Sequence, residues 1–219
     1  MKHIVGSLIF LVIFGFFGLA QPPKGLGQSD PAAKKILDGV SAKFKTFKSI
    51  KANFKIVIEN NVGKVIGTKT GIVYLKGTKY RISVVKGQEV FCDGNNVWTY
   101  TKADNEVVIS KLDAGNNTIT PQKLFTNFYD KDFLYKLNGE VAGKQEIELT
   151  PIDKTKPFFK VLVNVDKKNQ TIASTKVFEK AGNRYTSSVG AMNTSAVIPD
   201  AQFVFDVKKY PGVNVEDNR

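Results

Sequence analysis

From residue 51 to residue 110 apolar and polar side chains alternate with a period of two, and the runs are broken by connections too short for anything but hairpins. Phe54, Ile56 and Ile58 alternate with Lys55, Val57 and Glu59, Val73 and Leu75 flank Tyr74, and Tyr80, Ile82 and Val84 alternate with Arg81 and Ser83. Asn60-Asn61-Val62-Gly63, Lys76-Gly77-Thr78, Lys86-Gly87 and Asp93-Gly94 separate them. A parallel crossover takes about a dozen residues or more, so these strands form an antiparallel meander. Further strands are expected at 145–150, 158–165, 171–178, 184–189 and around 203–205, ten or eleven in all. A sheet that long twists and curls toward a barrel, which leaves a concave face to be covered.

Two stretches are available to cover it. Asp30-Pro31 is an N-cap followed by proline at the first helical position, and Ile36, Leu37, Val40, Phe44 and Phe47 behind it recur on one helical face. Thr120-Pro121 opens a second helical stretch through Leu124, Phe125 and Phe128, continued past Asp130 by Phe133, Leu134 and Leu137.

The amino-terminal segment reads as an export signal. Lys2 and His3 precede an uncharged apolar run from Ile4 to Ala20, and Gly18-Leu19-Ala20 supplies the small residues a signal peptidase reads. Residues 1–20 are therefore expected to be cleaved, 21–29 to be a flexible leader and 30–219 to form a single exported domain. Cleavage removes Lys2 and the only histidine, and the formal charge falls from +12 to +11. Without histidine, neither a Ser-His-Asp triad nor a His-ligated metal centre can be built, and one cysteine, Cys92, permits no intramolecular disulfide.

The remaining motifs are weak. Gly139 to Lys144 has the flavour of a phosphate loop but is one residue short and lacks the Ser/Thr. Glu146 and Glu148 at i, i+2 mark a solvated strand face, and Asp130 and Asp132 more naturally cap a helix junction than hold metal. No cofactor and no metal site is expected. The lysines are dispersed without aromatic interleaving, so nucleic acid is not an expected partner, and anionic membrane surfaces suit an exported basic protein better. Trp98 and Tyr100 share one side of their strand, either in the core or beside a ligand.

The run Gly71-Ile72-Val73-Tyr74-Leu75-Lys76-Gly77-Thr78-Lys79-Tyr80-Arg81-Ile82, followed by Asp93-Gly94-Asn95-Asn96-Val97-Trp98-Thr99-Tyr100, resembles the outer-membrane lipoprotein carrier family, LolA. The Pro-started stretch at 120–125, Ile147-Glu148-Leu149-Thr150-Pro151 and the closing Pro211-Gly212-Val213-Asn214-Val215 extend the resemblance over essentially all of the chain after residue 20. It implies a mainly β (α+β) fold: an unclosed antiparallel barrel of about 11 strands with a helical lid over an apolar cavity. It also implies a monomeric, non-enzymatic periplasmic carrier. Such a carrier takes lipoprotein acyl chains from an inner-membrane ABC transporter to an outer-membrane acceptor or the membrane surface. The alternative is a lipid-sensing or structural interaction module of the same fold that shuttles nothing. Where the family has Arg-Pro this chain has Lys76-Gly77, and Ile82 replaces a Trp; Lys cannot make the forked hydrogen bonds of Arg.

Alternation and the helical stripe place Phe54, Val73, Leu75, Tyr80, Ile82, Val90, Leu124, Phe125 and Val163 on apolar faces, and these are the expected cavity lining. Lys76, Arg81 and Phe44 are the expected lid or gating residues.

Overall fold

The computed structural model describes residues 29–112 and 129–219. One sheet of twelve strands organises them, in the order β12-β6-β5-β4-β3-β2-β1-β11-β10-β9-β8-β7. The strands are β1 (Ile50–Glu59), β2 (Val65–Lys76), β3 (Lys79–Val84), β4 (Gln88–Cys92), β5 (Asn96–Thr101), β6 (Glu106–Lys111), β7 (Phe133–Val141), β8 (Lys144–Pro151), β9 (Phe158–Asp166), β10 (Thr171–Glu179), β11 (Arg184–Asn193) and β12 (Asn214–Asp217). All neighbours are antiparallel except β12, which runs parallel to β6. The two end strands, β12 and β7, do not pair with each other, so the sheet stays unclosed. The fold is mainly β, as expected, with twelve strands where about eleven were read.

Helix α1 (Pro31–Lys45) starts where the sequence says it should. The Asp30 carboxylate accepts from the Ala32 amide at 2.8 Å, and Pro31 occupies the first turn, where its missing N–H costs nothing. Ala33, Leu37 and Val40 are buried along one stripe. They lie on the inner face of β7–β10 against Tyr135, Ile147, Leu149, Val163, Val165 and Ile172.

Two assignments differ from the sequence reading. Phe133, Leu134 and Leu137 continue no helix: α2 is only Tyr129–Asp132, and the chain then enters β7. Their spacing satisfies both periods, and pairing with β8 from Phe133↔Pro151 to Val141↔Lys144 decides for the strand. Phe203-Val204-Phe205 is not a strand. Asp200–Phe203 is a single 3-10 turn ending on buried Phe203, with Phe205 buried just beyond it, while the last strand falls at Asn214–Asp217. Burying two phenylalanines, at about 1.5–3 kcal/mol each, outweighs the lost ladder pairing.

The sheet therefore carries cores on both faces. On the inner face Ile50, Ala52, Leu75, Tyr80 and Cys92 form one cluster beside the one beneath α1. On the outer face Phe91, Trp98, Tyr100, Val107 and Ile109 are covered by Phe205, with Tyr210 and Val213 packed against them. Phe54 is also on the inner face, where its ring lies over Gly71: a Cβ on Gly71 would stand 2.5 Å from Phe54 Cζ and 2.3 Å from the Ser83 carbonyl oxygen.

Candidate functional site: an apolar pocket at the end of the helix

The carboxy-terminal end of α1 and the ends of four strands enclose a pocket of about 40 Å³. Val40, Phe44 and Phe47 supply the helix side, and Ile50, Ala52, Val73 and Leu75 the β1–β2 floor. Thr171, Ile172, Val189 and Met192 close it from β10 and β11, with Gln170 of the preceding turn at the rim. Two register shifts shape that wall. β11 meets β1 with an extra residue between Val189 and Met192, and β10 meets β9 with one between Ile172 and Ser174. Bulges bend strands and increase local twist, so both wall strands are bent beside the pocket.

The volume has a direct consequence. A water-sized sphere needs about 10–15 Å³ by this measure, so about three fit, with almost no polar group to hold them. An acyl chain enters this space only by displacing what closes it.

The two ends of α1 are held differently. At its start the Asp30 amide donates to the Tyr135 carbonyl at 2.9 Å, and the Leu137 amide donates to the Asp30 carboxylate at 3.2 Å. Two turns further, the Tyr129 hydroxyl donates to Asp38 at 2.8 Å and Lys34 pairs with the same carboxylate at 3.0 Å. Burial pushes the Asp38 carboxyl up, and the hydrogen bonds from Tyr129 and Lys34 outweigh it, leaving it below the usual range. Towards the pocket, Phe44 and Phe47 meet edge to face at 6.2 Å, with Lys43 Nζ 5.9 Å from the Phe47 ring.

Of the residues expected to line a cavity, Val73 and Leu75 face the pocket, and the gating candidate Phe44 is part of its wall. Tyr80, Ile82 and Val90 belong to the same inner-face cluster as Leu75, one and two strands away from the pocket. Val163 packs beneath the first half of α1, and Phe54 covers Gly71 instead. Leu124 and Phe125 lie outside the described residues.

The two basic candidates point elsewhere. Lys76 donates to the Ile198 carbonyl at 3.1 Å and to Asp200 at 2.8 Å, and Lys79 holds the other oxygen of Asp200 at 2.7 Å. These contacts tie down the carboxy-terminal segment. Arg81 is on the outer face, paired with Glu89 at 2.6 Å and stacked over Phe91 at 4.5 Å, with the whole sheet between it and α1. Alternation accounts for this, since Arg81 follows inward-facing Tyr80.

Ile50, Ala52, Ile172, Val189 and Met192 were not singled out from sequence. Phe47 belongs to the apolar stripe read from the sequence, although α1 itself ends at Lys45; the β10 and β11 residues depend on bulges that leave no sequence signal.

The other singled-out groups are accounted for. Cys92 is fully buried opposite Tyr80, and burial pushes its thiol up, away from nucleophilic character. Burial, with Cys92 beside it, pushes the Tyr80 hydroxyl up to about 12. Trp98 and Tyr100 are outer-face core beneath Phe205 and Tyr210. Gly139 to Lys144 is the β7–β8 hairpin, with Ala142 and Gly143 both at positive φ, the backbone a two-residue hairpin demands. Among the described residues no group of three His, Cys, Asp or Glu is placed to hold a metal, and no helix is long and apolar enough to cross a membrane.

No curated protein matches the chain by sequence. Solved structures do match the fold. An uncharacterized conserved protein from Thermus thermophilus superposes with a TM-score of 0.58 at 16% identity, covering 85% of this chain and 99% of that one. MucB superposes with a TM-score of 0.50 at 17% identity, over 82% of this chain and 65% of its own. A LolA superfamily protein from Nitrosomonas europaea gives 0.43 at 15% identity, over 80% and 98%. The family model of the outer membrane lipoprotein carrier protein LolA matches residues 45–206, from the last residue of α1 to just past Phe205. With that match and the unclosed twelve-stranded sheet, the chain belongs to the LolA family of outer membrane lipoprotein carrier proteins.

Proposed function

We propose that the protein is a periplasmic carrier that takes up lipoprotein acyl chains in the pocket between α1 and strands β1, β2, β10 and β11. It receives them from an inner-membrane ABC transporter and releases them at an outer-membrane acceptor or the membrane itself. Residues 1–20 act as the signal for export. The observation that carries this reading is the apolar pocket, walled on one side by Phe44 and Phe47 at the end of a helix whose polar anchors to the sheet side are at Asp30 and Asp38.

Energetics favour such a design. Burying acyl chain is worth about 0.8 kcal/mol per methylene, so a deep preformed cavity would hold cargo almost irreversibly. A carrier must hand over. A small pocket that grows by displacing Phe44 and Phe47 spends part of the binding energy on opening, and that weakens the hold.

Mass spectrometry of the protein purified with and without a co-expressed lipoprotein tests the reading. Acylated species are expected to copurify, and an apolar dye is expected to bind at one saturable site. The charged substitution Leu75→Asp should abolish both, with the fold checked by circular dichroism. Absence of acylated species together with absence of a saturable dye site rejects the carrier. A saturable site that never yields acylated protein favours the sensing or interaction module.

A further inference from the structure

The end of the sheet away from the pocket is at once apolar and basic. Its β1–β2 turn is a firmly bonded tip. The Asn60 side chain accepts from the Val62 and Lys64 amides at 3.2 and 2.9 Å, the Asn60 amide donates to the Lys64 carbonyl at 2.9 Å, and Gly63 takes the positive φ that closes the turn. This holds Val62 out at 79% exposure, and Val65 and Ile66 behind it are more than half exposed. Arg184 donates to the Asn61 carbonyl at 3.1 Å and ties the tip to the β10–β11 turn. There the Lys180 amide donates to the Pro157 carbonyl at 2.9 Å and its side chain to the Lys154 carbonyl, which joins the loop between β8 and β9. Phe159, half exposed beside that loop, meets Phe178 at 6.1 Å.

Over these connections and the strand ends that carry them, residues 59–66, 151–160 and 176–184, seven cations stand against three carboxylates. Two of the three are engaged: Glu59 pairs with Lys176, and Asp153 accepts from the Thr155 amide and hydroxyl at 2.8 and 2.6 Å. Among the described residues Lys64, Lys154, Lys156 and Lys180 are in no ion pair. Exposed apolar side chains beside unpaired cations are complementary to an anionic bilayer, where the first enter the interface and the second stay at the head groups. The apolar side chains stand on a hairpin tip, a shape that enters a fluid surface and not one that receives a peptide. From this end an apolar row also leads inward: Ile58, Ile56 and Phe54 share the inner face of β1 with Ala52 of the pocket floor.

We propose that this end of the sheet docks on anionic lipid bilayers, with Val62 and Ile66 entering the interface and Lys64, Lys154, Lys156 and Lys180 resting on the head groups. The inference rests on the carrier reading for its purpose and adds to it the surface that meets the membrane.

Flotation with lipid vesicles, without cargo, tests it on the exported protein. Binding to phosphatidylcholine vesicles carrying about one third phosphatidylglycerol is expected to be more than about tenfold tighter than to phosphatidylcholine alone, since each lysine near an anionic surface contributes about fivefold. K64Q/K154Q/K156Q/K180Q should remove that preference, as should about 1 M salt, where the Debye length is about 3 Å. V62S/I66S should weaken binding to the anionic vesicles by about tenfold. All variants share one amino terminus, so differences between them report this surface, and circular dichroism checks that each is folded. Equal binding to the two vesicles, binding to neither, or binding that survives either set of substitutions overturns the proposal and leaves the acyl pocket standing. Vesicle binding as expected in a protein that takes up neither dye nor acyl chains leaves the docking surface standing and rejects the carrier.

Discussion

Lys76 and Asp200, 124 residues apart in sequence, meet at 2.8 Å, and the same lysine donates to the carbonyl of Ile198. With Lys79 on the other carboxylate oxygen, the β2–β3 hairpin grips the start of the segment that lays Phe203 and Phe205 into the fold. Hydrogen bonds from Lys76 and Lys79 pull the Asp200 carboxyl down to about 2 from an ordinary 3.8. A depressed carboxyl contributes stability above its ordinary value and loses it as pH falls through the folded one. The grip is expected to be nearly complete above about pH 4, half lost at about pH 2 and gone only below it. Trp98, the only tryptophan, reports on it from beneath Phe205. Its emission should shift to the red across that window, and Asp200→Asn should remove the pH dependence. A wild-type shift that Asp200→Asn leaves intact assigns the acid sensitivity elsewhere.

Tyr80 titrates in the opposite sense. Its hydroxyl is raised from 10 to about 12, so the folded state favours the neutral form, and the stability this gives is present below pH 10 and lost as pH rises toward 12. Denaturant midpoints measured between about pH 9 and about pH 12 should fall for the wild type and fall less for Tyr80→Phe. In the same experiments Cys92 should stay unreactive to thiol reagents until the protein unfolds, because its burial raises the thiol.

Gly71 is required by a close approach. Its Cβ would meet both the Phe54 ring and the Ser83 carbonyl oxygen on neighbouring strands. Gly71→Ala is expected to destabilise by about 1–3 kcal/mol in urea unfolding. Adding Phe54→Ala should not restore stability, because the backbone oxygen of Ser83 remains in place.

The two faces of the sheet should separate in mutagenesis. Phe205 is 4% exposed and meets Tyr210, Tyr100 and Phe91 at ring distances of 4.2, 5.4 and 5.6 Å. Phe205→Ala is expected to cost about 3–5 kcal/mol of stability while leaving the affinity of dye for folded protein unchanged. Ile172→Ala, in the pocket wall, should alter dye affinity as well as stability. Titration of dye into each folded variant checks the pair.

Much of the architecture is local information. The Asp30-Pro31 start and the Leu37/Val40 stripe specify α1, and alternation with hairpin-length turns specifies the meander from β1 to β6. Even the inward orientation of Val73, Leu75, Tyr80, Ile82 and Val90 follows from a period of two once one of them is known to be buried. Ambiguity enters where a short apolar run fits two periods, as at Phe133, Leu134 and Leu137. There hairpin pairing with β8, and not the residues' own preference, decides.

The candidate site depends on information of a different kind. Sequence by itself determined that this is a long antiparallel sheet with an amphipathic helix, apolar on one face, without the histidine of a hydrolytic triad beyond residue 3. It also carried enough of the LolA pattern for the family to be named. Only the tertiary structure decided which apolar residues surround empty space and which are packed solid. Val163 and Leu75 have the same alternation and burial, yet one lies beneath the helix and the other faces the pocket, because bulges in β10 and β11 bend the wall only near the helix end. Likewise Lys76 and Arg81 carry the charge of gating residues but face the carboxy-terminal segment and the outer core. A side chain's face is set by its place in the strand, whereas its neighbours are set by which distant segments the sheet brings together.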